Sequence, residues 1–285
     1  MRQPREVDTT TLAERLGYGP GERLLIVNCD DLGSSHAANV AIERALNDGI
    51  ATSATLMVPC PWAREAVRRL AGADIGVHLT FTAEYPGYRW RSLTRAVSLH
   101  DSDGFLPATA AEAIAKATPD DIRAEGRAQI EQALAWGVDI THLDSHMGVV
   151  QIDARLFEVY LDLAAEFALP LRMFGARTDQ FLGFNGKERA TRRGAIFADH
   201  ILDSWGGSMR ELLSDKLPHL AEGVTEVFGH PVDDGPELRG YDPDNAQGRV
   251  DDGVCFSDPA VKEMINSAGV TPISYRPLRD MQRAK

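Results

Sequence analysis

The chain has little cysteine, no long apolar run and no cluster of basic residues. Its three cysteines, Cys29, Cys60 and Cys255, stand alone among 285 residues and form no CxxC pair. Structural disulfides are therefore not expected, and a reducing compartment fits the sequence. No apolar stretch approaches the roughly 18 residues that a membrane helix needs, and the polar N-terminus lacks the apolar segment of a secretory signal. We predict a cytoplasmic protein with no membrane partner.

Charge and missing motifs exclude further classes of protein. The net charge is −12, from 42 acidic and 30 basic residues, which repels phosphate backbones, so nucleic acid is not an expected partner. The sequence contains no P-loop, no GxGxxG after a strand, no GxSxG nucleophile elbow, no HExxH and no EF-hand loop. Hydrophobic residues make up 44% of the chain, which is enough for a full globular core.

Strand-like and helix-like segments alternate from about residue 23 onward, which favours a parallel sheet with crossover helices. Besides the apolar run at 24–27, the predicted strands are 52–58, 74–79, 139–143, 169–174, 225–228 and 270–274. The predicted helices are 36–46, 62–70, 119–136, 154–167 and 259–268. Segments 80–117 and 232–256 are predicted loops, and 175–221 gives no clear pattern. About seven strands predict an α/β fold with a single irregular (β/α) barrel, the alternative being a doubly wound open sheet. We expect an N-terminal extension over residues 1–22 and one domain over 23–285.

Polar side chains end four of the apolar runs. Asp30 and Asp31 close the first, His78 closes the strand at 74–79, the polar segment 142–146 ends the strand at 139–143, and His230 follows the strand at 225–228. The carboxyl ends of parallel strands gather at one face of a sheet, where active sites lie. Carboxylates and imidazoles from distant parts of the sequence are therefore expected to meet in one pocket, although each alone could be a turn or packing residue.

The segment 141–146 adds a second group of candidates. His142, Asp144 and His146 alternate, so their side chains would share one face of an extended strand. Two imidazoles and a carboxylate suit a divalent cation. Arg172 and Arg276 also close predicted strands, where they could bind substrate oxygens or form surface salt bridges.

These segments resemble the YdjC-like carbohydrate deacetylases, a family that includes chitooligosaccharide and hopanoid-biosynthesis deacetylases. The matching segments are 25–33 (Leu-Ile-Val-Asn-Cys-Asp-Asp-Leu-Gly), 76–79 (Gly-Val-His-Leu), 141–146 (Thr-His-Leu-Asp-Ser-His), 230–231 (His-Pro) and 274–276 (Ser-Tyr-Arg). Their order and approximate spacing hold from about residue 23 to residue 279.

The resemblance implies a distorted (β/α) barrel related to polysaccharide deacetylases, and a metal-dependent enzyme that removes the N-acetyl group from an amino sugar or a short N-acetylated saccharide. It implies one divalent cation, Mg or Zn, held by Asp31, His78 and His146. The resemblance also implies that Asp30 is the general base and His230 a candidate general acid. An imidazole suits the role of acid because it titrates near neutral pH.

Supporting roles follow for several other residues. His142 and Asp144 would orient the metal ligands. The segments 80–117 and 232–256 would form the walls that select the sugar, with Tyr88 and Trp90 stacking on a pyranose ring, although packing within the loop explains these aromatics equally well.

The chain departs from the family pattern after His146. Segment 147–150 reads Met-Gly-Val-Val, where many family members carry further histidines, so the resemblance does not imply a disaccharide substrate. The alternatives are a metal-dependent hydrolase of another amide or ester, and a sugar-binding relative without catalysis. The expected partner is a small saccharide, and a homodimer is compatible with the resemblance.

Overall fold

The computed structural model describes residues 10–175, 182–204 and 206–284. Its strands, in chain order, are β1 (Arg23–Leu32), β2 (Ser53–Leu56), β3 (Ile75–Leu79), β4 (Leu143–Ser145), β5 (His200–Asp203), β6 (Gly223–Gly229) and β7 (Thr271–Pro272). Every pairing between them is parallel, in the order β4-β3-β2-β1-β6-β5, and β7 pairs with the start of β1.

The helices that connect and flank the strands are α1 (Leu12–Arg15), α2 (His36–Asn47), α3 (Ala63–Arg69), α4 (Ala110–Lys116), α5 (Pro119–Ala135), α6 (Ala154–Phe167), α7 (Gly186–Arg192), α8 (Met209–Lys216), α9 (Pro236–Tyr241), α10 (Ala246–Ser257), α11 (Pro259–Ser267) and α12 (Arg276–Arg283). Their starts follow local chemistry. The Thr118 side chain accepts from a backbone N–H to cap α5, with Pro119 in its first turn, and the Asp153 side chain caps α6. Among the described residues, no helix combines the length and apolarity required to cross a bilayer.

The sheet curls into a half-barrel, which confirms the predicted α/β fold with about seven parallel strands. Within the described residues, β4 and β5 are the two edges and do not pair with each other, so the barrel stays open. β1 is the central strand: β6 runs along its length, β2 pairs with its carboxyl half, and β7 with its amino half.

Alternate residues of β1 point into two different environments. Leu25 and Val27 belong to the main apolar core, whereas Leu24 and Ile26 belong to a smaller cluster that includes Leu278 of α12. Burial on both faces explains why β1 begins as an uninterrupted apolar run. The smaller cluster also contains Leu12 and Ala13 of α1, which lie within the predicted N-terminal extension.

Several predicted boundaries are wrong. The predicted strand at 169–174 is a single bridge between Leu143 and Leu171, because Pro170 has no N–H to donate. The strand predicted at 139–143 begins only at Leu143, and the one at 270–274 is reduced to the two residues of β7. The predicted loop at 232–256 contains α9 and most of α10, and the loop at 80–117 contains α4. Segment 175–221 supplies α7, β5 and α8, with 176–181 and 205 outside the described residues.

Candidate active site

The polar residues predicted at strand ends lie together at the carboxyl edge of the sheet. Asp30 and Asp31 stand near the end of β1, His78 in β3 and Asp144 in β4. His146 begins the 3₁₀ turn His146–Gly148 directly after β4. Because the strands are parallel and adjacent, chemistry-bearing residues separated by more than 100 positions become neighbours.

Asp31 is the centre of this group. Its φ is 62°, in the left-handed region that few residues other than glycine adopt, and the pairing of β1 with β2 shifts register between Cys29 and Leu32. The bulge turns the carboxylate so that Oδ1 lies 3.4 Å from His78 Nε2 and 3.1 Å from His146 Nδ1. Neither contact has hydrogen-bond geometry, and Oδ1 is buried without a hydrogen-bond partner among the described residues.

Each of the two imidazoles is held by a carboxylate on its other nitrogen. His78 Nδ1 lies 2.5 Å from Asp144 Oδ1, and Asp144 Oδ2 accepts from the Thr55 hydroxyl. His146 Nε2 lies 3.0 and 3.1 Å from the two oxygens of Glu84. The nitrogens that remain, His78 Nε2 and His146 Nδ1, are the two that face Asp31. Sequence reasoning found Asp144 but missed Glu84, which lies outside any regular element.

Electrostatics follow from this packing of acids around buried rings. Burial lowers the pKa of His78, but Asp144 and the other nearby carboxylates raise it to about 9. Burial likewise lowers the pKa of His146, and Glu84 and Asp31 raise it to about 10. Burial raises the pKa of Asp31, yet His146 and Arg249 bring it well below its ordinary value. The carboxylates around the two buried rings therefore favour positive charge at this point of the structure.

Asp30 is fixed by a buried guanidinium. Arg172 Nη1 and Nη2 donate to its two oxygens at 2.6 and 2.8 Å, and the Asn28 amide donates at 2.8 Å. Burial raises the Asp30 pKa, but Arg172, His78 and His230 lower it to about 2. Arg172 is only 3% exposed, so its observed role is to hold Asp30, and its contact with a substrate stays a prediction.

Below Asp30 lies a layer of buried polar residues. Arg172 Nε donates to Glu226 at 2.7 Å, and the Tyr275 hydroxyl also donates to Glu226. The Tyr275 ring stacks on His142 at a centroid distance of 3.7 Å. Burial, then Arg172, lowers the pKa of His142 well below its ordinary value, and its Nδ1 hydrogen-bonds with the Thr141 hydroxyl. His142 packs beneath the site, and its role in orienting a ligand stays a prediction. Glu226 was missed, although an acid inside an apolar strand is itself a signal of a buried partner.

His230 lies at the mouth of the pocket. Its backbone N–H donates to Asp252 at 2.9 Å, and its side chain is 36% exposed with Nε2 4.0 Å from Asp30 Oδ2. The imidazole is thus accessible from solvent and close to the Asp30 carboxylate.

The other predicted substrate-binding residues lie in different surroundings. Tyr88 is half-buried beside the site, and its hydroxyl donates to the Ser34 carbonyl at 2.7 Å. Trp90 is 3% exposed, and its indole N–H donates to the Thr82 carbonyl. Its ring therefore packs within the loop, as the alternative interpretation held. Arg276 pairs with Asp74 and Asp139, which precede β3 and β4, so it lies at the opposite end of the strands from Asp31.

The segment 232–256 contributes a residue that the sequence did not reveal. Arg249 of α10 donates to Asp31 Oδ2 at 2.7 Å, to Asp242 at 2.8 Å and to the Tyr85 hydroxyl at 2.8 Å. Because the segment was predicted as a loop, nothing indicated that this arginine would point into the site.

Known proteins resemble this chain over most of its length. A carbohydrate deacetylase from Thermus thermophilus is 35% identical over 94% of this chain and 98% of its own length. Another from Geobacillus stearothermophilus is 31% identical over 89% and 97%. A crystal structure from Enterococcus faecalis, described as a proposed cellobiose-phosphate cleavage protein, superposes with a TM-score of 0.79 at 25% identity, covering 90% of this chain and 99% of that one.

The match to a family as a whole is equally extensive. The YdjC-like protein family matches residues 24–267, which include every member of the Asp31 cluster. The resemblance drawn from the sequence motifs is thereby confirmed, and the chain belongs to the YdjC-like protein family.

Proposed function

We propose that this protein is a metal-dependent carbohydrate deacetylase that removes the N-acetyl group from an amino sugar or a short N-acetylated saccharide. The observation that carries the proposal is the buried Asp31 Oδ1, which has no hydrogen-bond partner among the described residues and faces one ring nitrogen each of His78 and His146. The names of the relatives support the carbohydrate substrate.

The residues fit a divalent cation. Metal–ligand bonds of roughly 2.0–2.2 Å place neighbouring ligand atoms about 3.0–3.4 Å apart, and Oδ1 lies 3.4 and 3.1 Å from the two ring nitrogens. One carboxylate and two imidazoles suit Zn²⁺ or Mg²⁺ with positions left for other ligands. Both rings also have a carboxylate on the far nitrogen, the arrangement that fixes the tautomer of a metal-bound histidine.

In this proposal Asp30 takes the proton of the attacking water. A cation held by Asp31, His78 and His146 would polarise the amide carbonyl and lower the pKa of a water. Arg172 keeps Asp30 ionised and fixes both of its oxygens, so the carboxylate does not need to reorganise during the reaction. His230, exposed at the mouth and near Asp30, protonates the leaving amine.

The walls of the pocket would select the sugar. Tyr88 and Tyr241 are half-buried beside Ser34 and Ser35, and their ring centroids lie 5.6 Å apart. Such rings can pack against the apolar face of a pyranose. Met147, where the sequence departs from the histidine-rich pattern of the resemblance, is 43% exposed, so the proposal does not extend to a disaccharide substrate.

The test is acetate release from a panel of N-acetylated amino sugars, with EDTA and with added Zn²⁺ or Mg²⁺. We expect release that EDTA abolishes and one of the two cations restores. Asp31→Ala and His146→Ala should lose both bound metal and activity. His219→Ala removes an exposed histidine outside the Asp31 cluster and should retain both. Folded Asp31→Ala protein with full activity would refute the assignment, and metal-bound protein that releases no acetate from any sugar would redirect it to another amide or ester.

A further inference from the structure

The two oxygens of Asp31 lie in different environments. Oδ1 faces His78 and His146 without a hydrogen bond. Oδ2 accepts from Arg249 Nη1 at 2.7 Å. A carboxylate can bind a metal through one oxygen or both, and a charge-assisted hydrogen bond from a guanidinium to one oxygen holds that oxygen towards the donor and favours binding through the other.

Arg249 is itself held from three sides. Its Nε donates to Asp242 Oδ2 and its Nη2 to the Tyr85 hydroxyl, both at 2.8 Å. Its side chain is 12% exposed, and the two carboxylates that it serves are 2% and 5% exposed. The guanidinium cannot swing away without breaking three hydrogen bonds, two of them to buried carboxylates, so its position is fixed by the fold.

The backbone at Asp31 makes such support useful. Asp31 has φ of 62° at a register shift of β1, a left-handed conformation that is costly for most L-residues and less so for aspartate. Arg249 lies on α10, 218 positions along the chain from Asp31. Its hydrogen bond to Asp31 joins that residue to the helical segment over 236–257.

From these contacts we propose that Arg249 is a positioning residue, which reserves Oδ1 of Asp31 as a single-oxygen ligand and ties α9 and α10 to the metal site. The inference rests on the proposed function, since it presumes that a cation binds at Asp31. Tyr85 and Asp242 serve it by fixing the guanidinium.

A second role for Arg249 predicts the opposite result. If the arginine only supplied positive charge to balance Asp31, its removal would strengthen cation binding, because two cations within a few ångströms repel each other. If its planar fork positions the carboxylate, its removal weakens binding, and lysine does not replace it, because an ammonium cannot engage three acceptors in that geometry.

The experiment measures Co²⁺ and Zn²⁺ binding to metal-free full-length protein by calorimetry, together with the visible spectrum of the Co²⁺ form, which reports coordination geometry. We expect Arg249→Met and Arg249→Lys to raise Kd by about 10–100-fold and to change the spectrum. Tyr85→Phe, which removes one of the three contacts, should give a smaller change in the same direction and remains available if Arg249→Met does not fold. Arg239→Met on α9, whose partner Asp234 is exposed, is the matched control and should leave Kd and spectrum unchanged.

The outcomes separate the two proposals. Wild-type protein that binds no cation would overturn both. Wild-type binding with an unchanged or lower Kd in Arg249→Met would overturn the positioning role alone, as would Arg249→Lys with the wild-type Kd and spectrum.

Discussion

Replacing Arg172 by methionine should destabilise the protein far more than replacing an arginine of similar pairing at the surface. Arg172 is the cation shared by Asp30, Asp144 and Glu226, all of them nearly inaccessible to solvent. Removing one partner from a buried ion pair costs about 3–5 kcal/mol. The loss of three ion pairs should not cost three times as much, because each carboxylate keeps another hydrogen-bond partner. These partners are Asn28 for Asp30, His78 for Asp144 and Tyr275 for Glu226.

The matched control is Arg276→Met. Arg276 also pairs with two carboxylates, but its side chain is 35% exposed, and such pairs contribute about 0–1 kcal/mol. Chemical denaturation at pH 7, followed by circular dichroism, should show a deficit of about 3–5 kcal/mol for Arg172→Met. For a chain of this size that corresponds to a loss of roughly 6–20 °C in melting temperature. Equal midpoints for the two variants would refute the reasoning.

The deficit should also depend on pH. Burial raises the pKa of Glu226, and Arg172 offsets part of that effect, so the pKa rises further in Arg172→Met. When the pKa of a carboxyl group is higher in the native state than in the unfolded state, protonation favours the native state at low pH. Stability then falls as the pH rises from the unfolded-state pKa to the native-state pKa. The deficit of Arg172→Met should therefore be smaller at pH 5 than at pH 8. A deficit that grows on acidification would show that Glu226 does not take up the proton.

Three further changes test other parts of the structure. Glu84→Gln removes the charged acceptor of His146 Nε2, so Zn²⁺ affinity measured by calorimetry should fall about 10–100-fold; unchanged affinity would contradict the role of Glu84. Gly76→Ala places a Cβ 2.6 Å from the His142 ring and 2.8 Å from the His142 carbonyl oxygen, so denaturation should show a loss of about 1–3 kcal/mol; wild-type stability would mean that β4 can shift. A cation at 100 times its Kd should add about 2.7 kcal/mol to wild-type stability, seen as a higher melting temperature that EDTA reverses; the same rise in Asp31→Asn would place the cation elsewhere.

The positions of the site residues could be predicted wherever a strand carried a strong pattern. The apolar run of β1 and the short strand β3 each end in polar residues, and the parallel topology brings their ends together. The helices α2, α5 and α6 have both a cap and an apolar face, so their bounds agree with prediction to within a residue or so.

The helix α10 could not be predicted, because its sequence argues against a helix. It contains Gly248, Gly253 and adjacent aspartates, and these residues have low intrinsic helix propensity. Tertiary contacts override that preference: a Cβ at Gly253 would lie 3.2 Å from the Val232 carbonyl oxygen, and Arg249 and Asp252 face the site. The buried residues of α10 are Ala246, Asp252, Gly253, Cys255 and Phe256, a mixture of types without the regular apolar stripe that reveals an amphipathic helix.

Arg172 and Arg276 show a second limit. Both end predicted strands and have the same local character, yet one is buried among carboxylates at the site and the other begins α12 at the far end of the sheet. The position of each arginine depends on partners that are distant in sequence. Arg172 pairs with Glu226 and Arg276 with Asp139.

The left-handed backbone at Asp31 restricts which metals the protein could be redesigned to prefer. Aspartate tolerates that conformation better than cysteine or glutamate, since its short polar side chain can bond locally. Replacing it by a softer or longer ligand would therefore add backbone strain to any change in coordination chemistry. In the proposed metal site His78 and His146 have ordinary backbones, so metal preference should be easier to engineer at those two positions, and Asp31 is the position that such a redesign should keep.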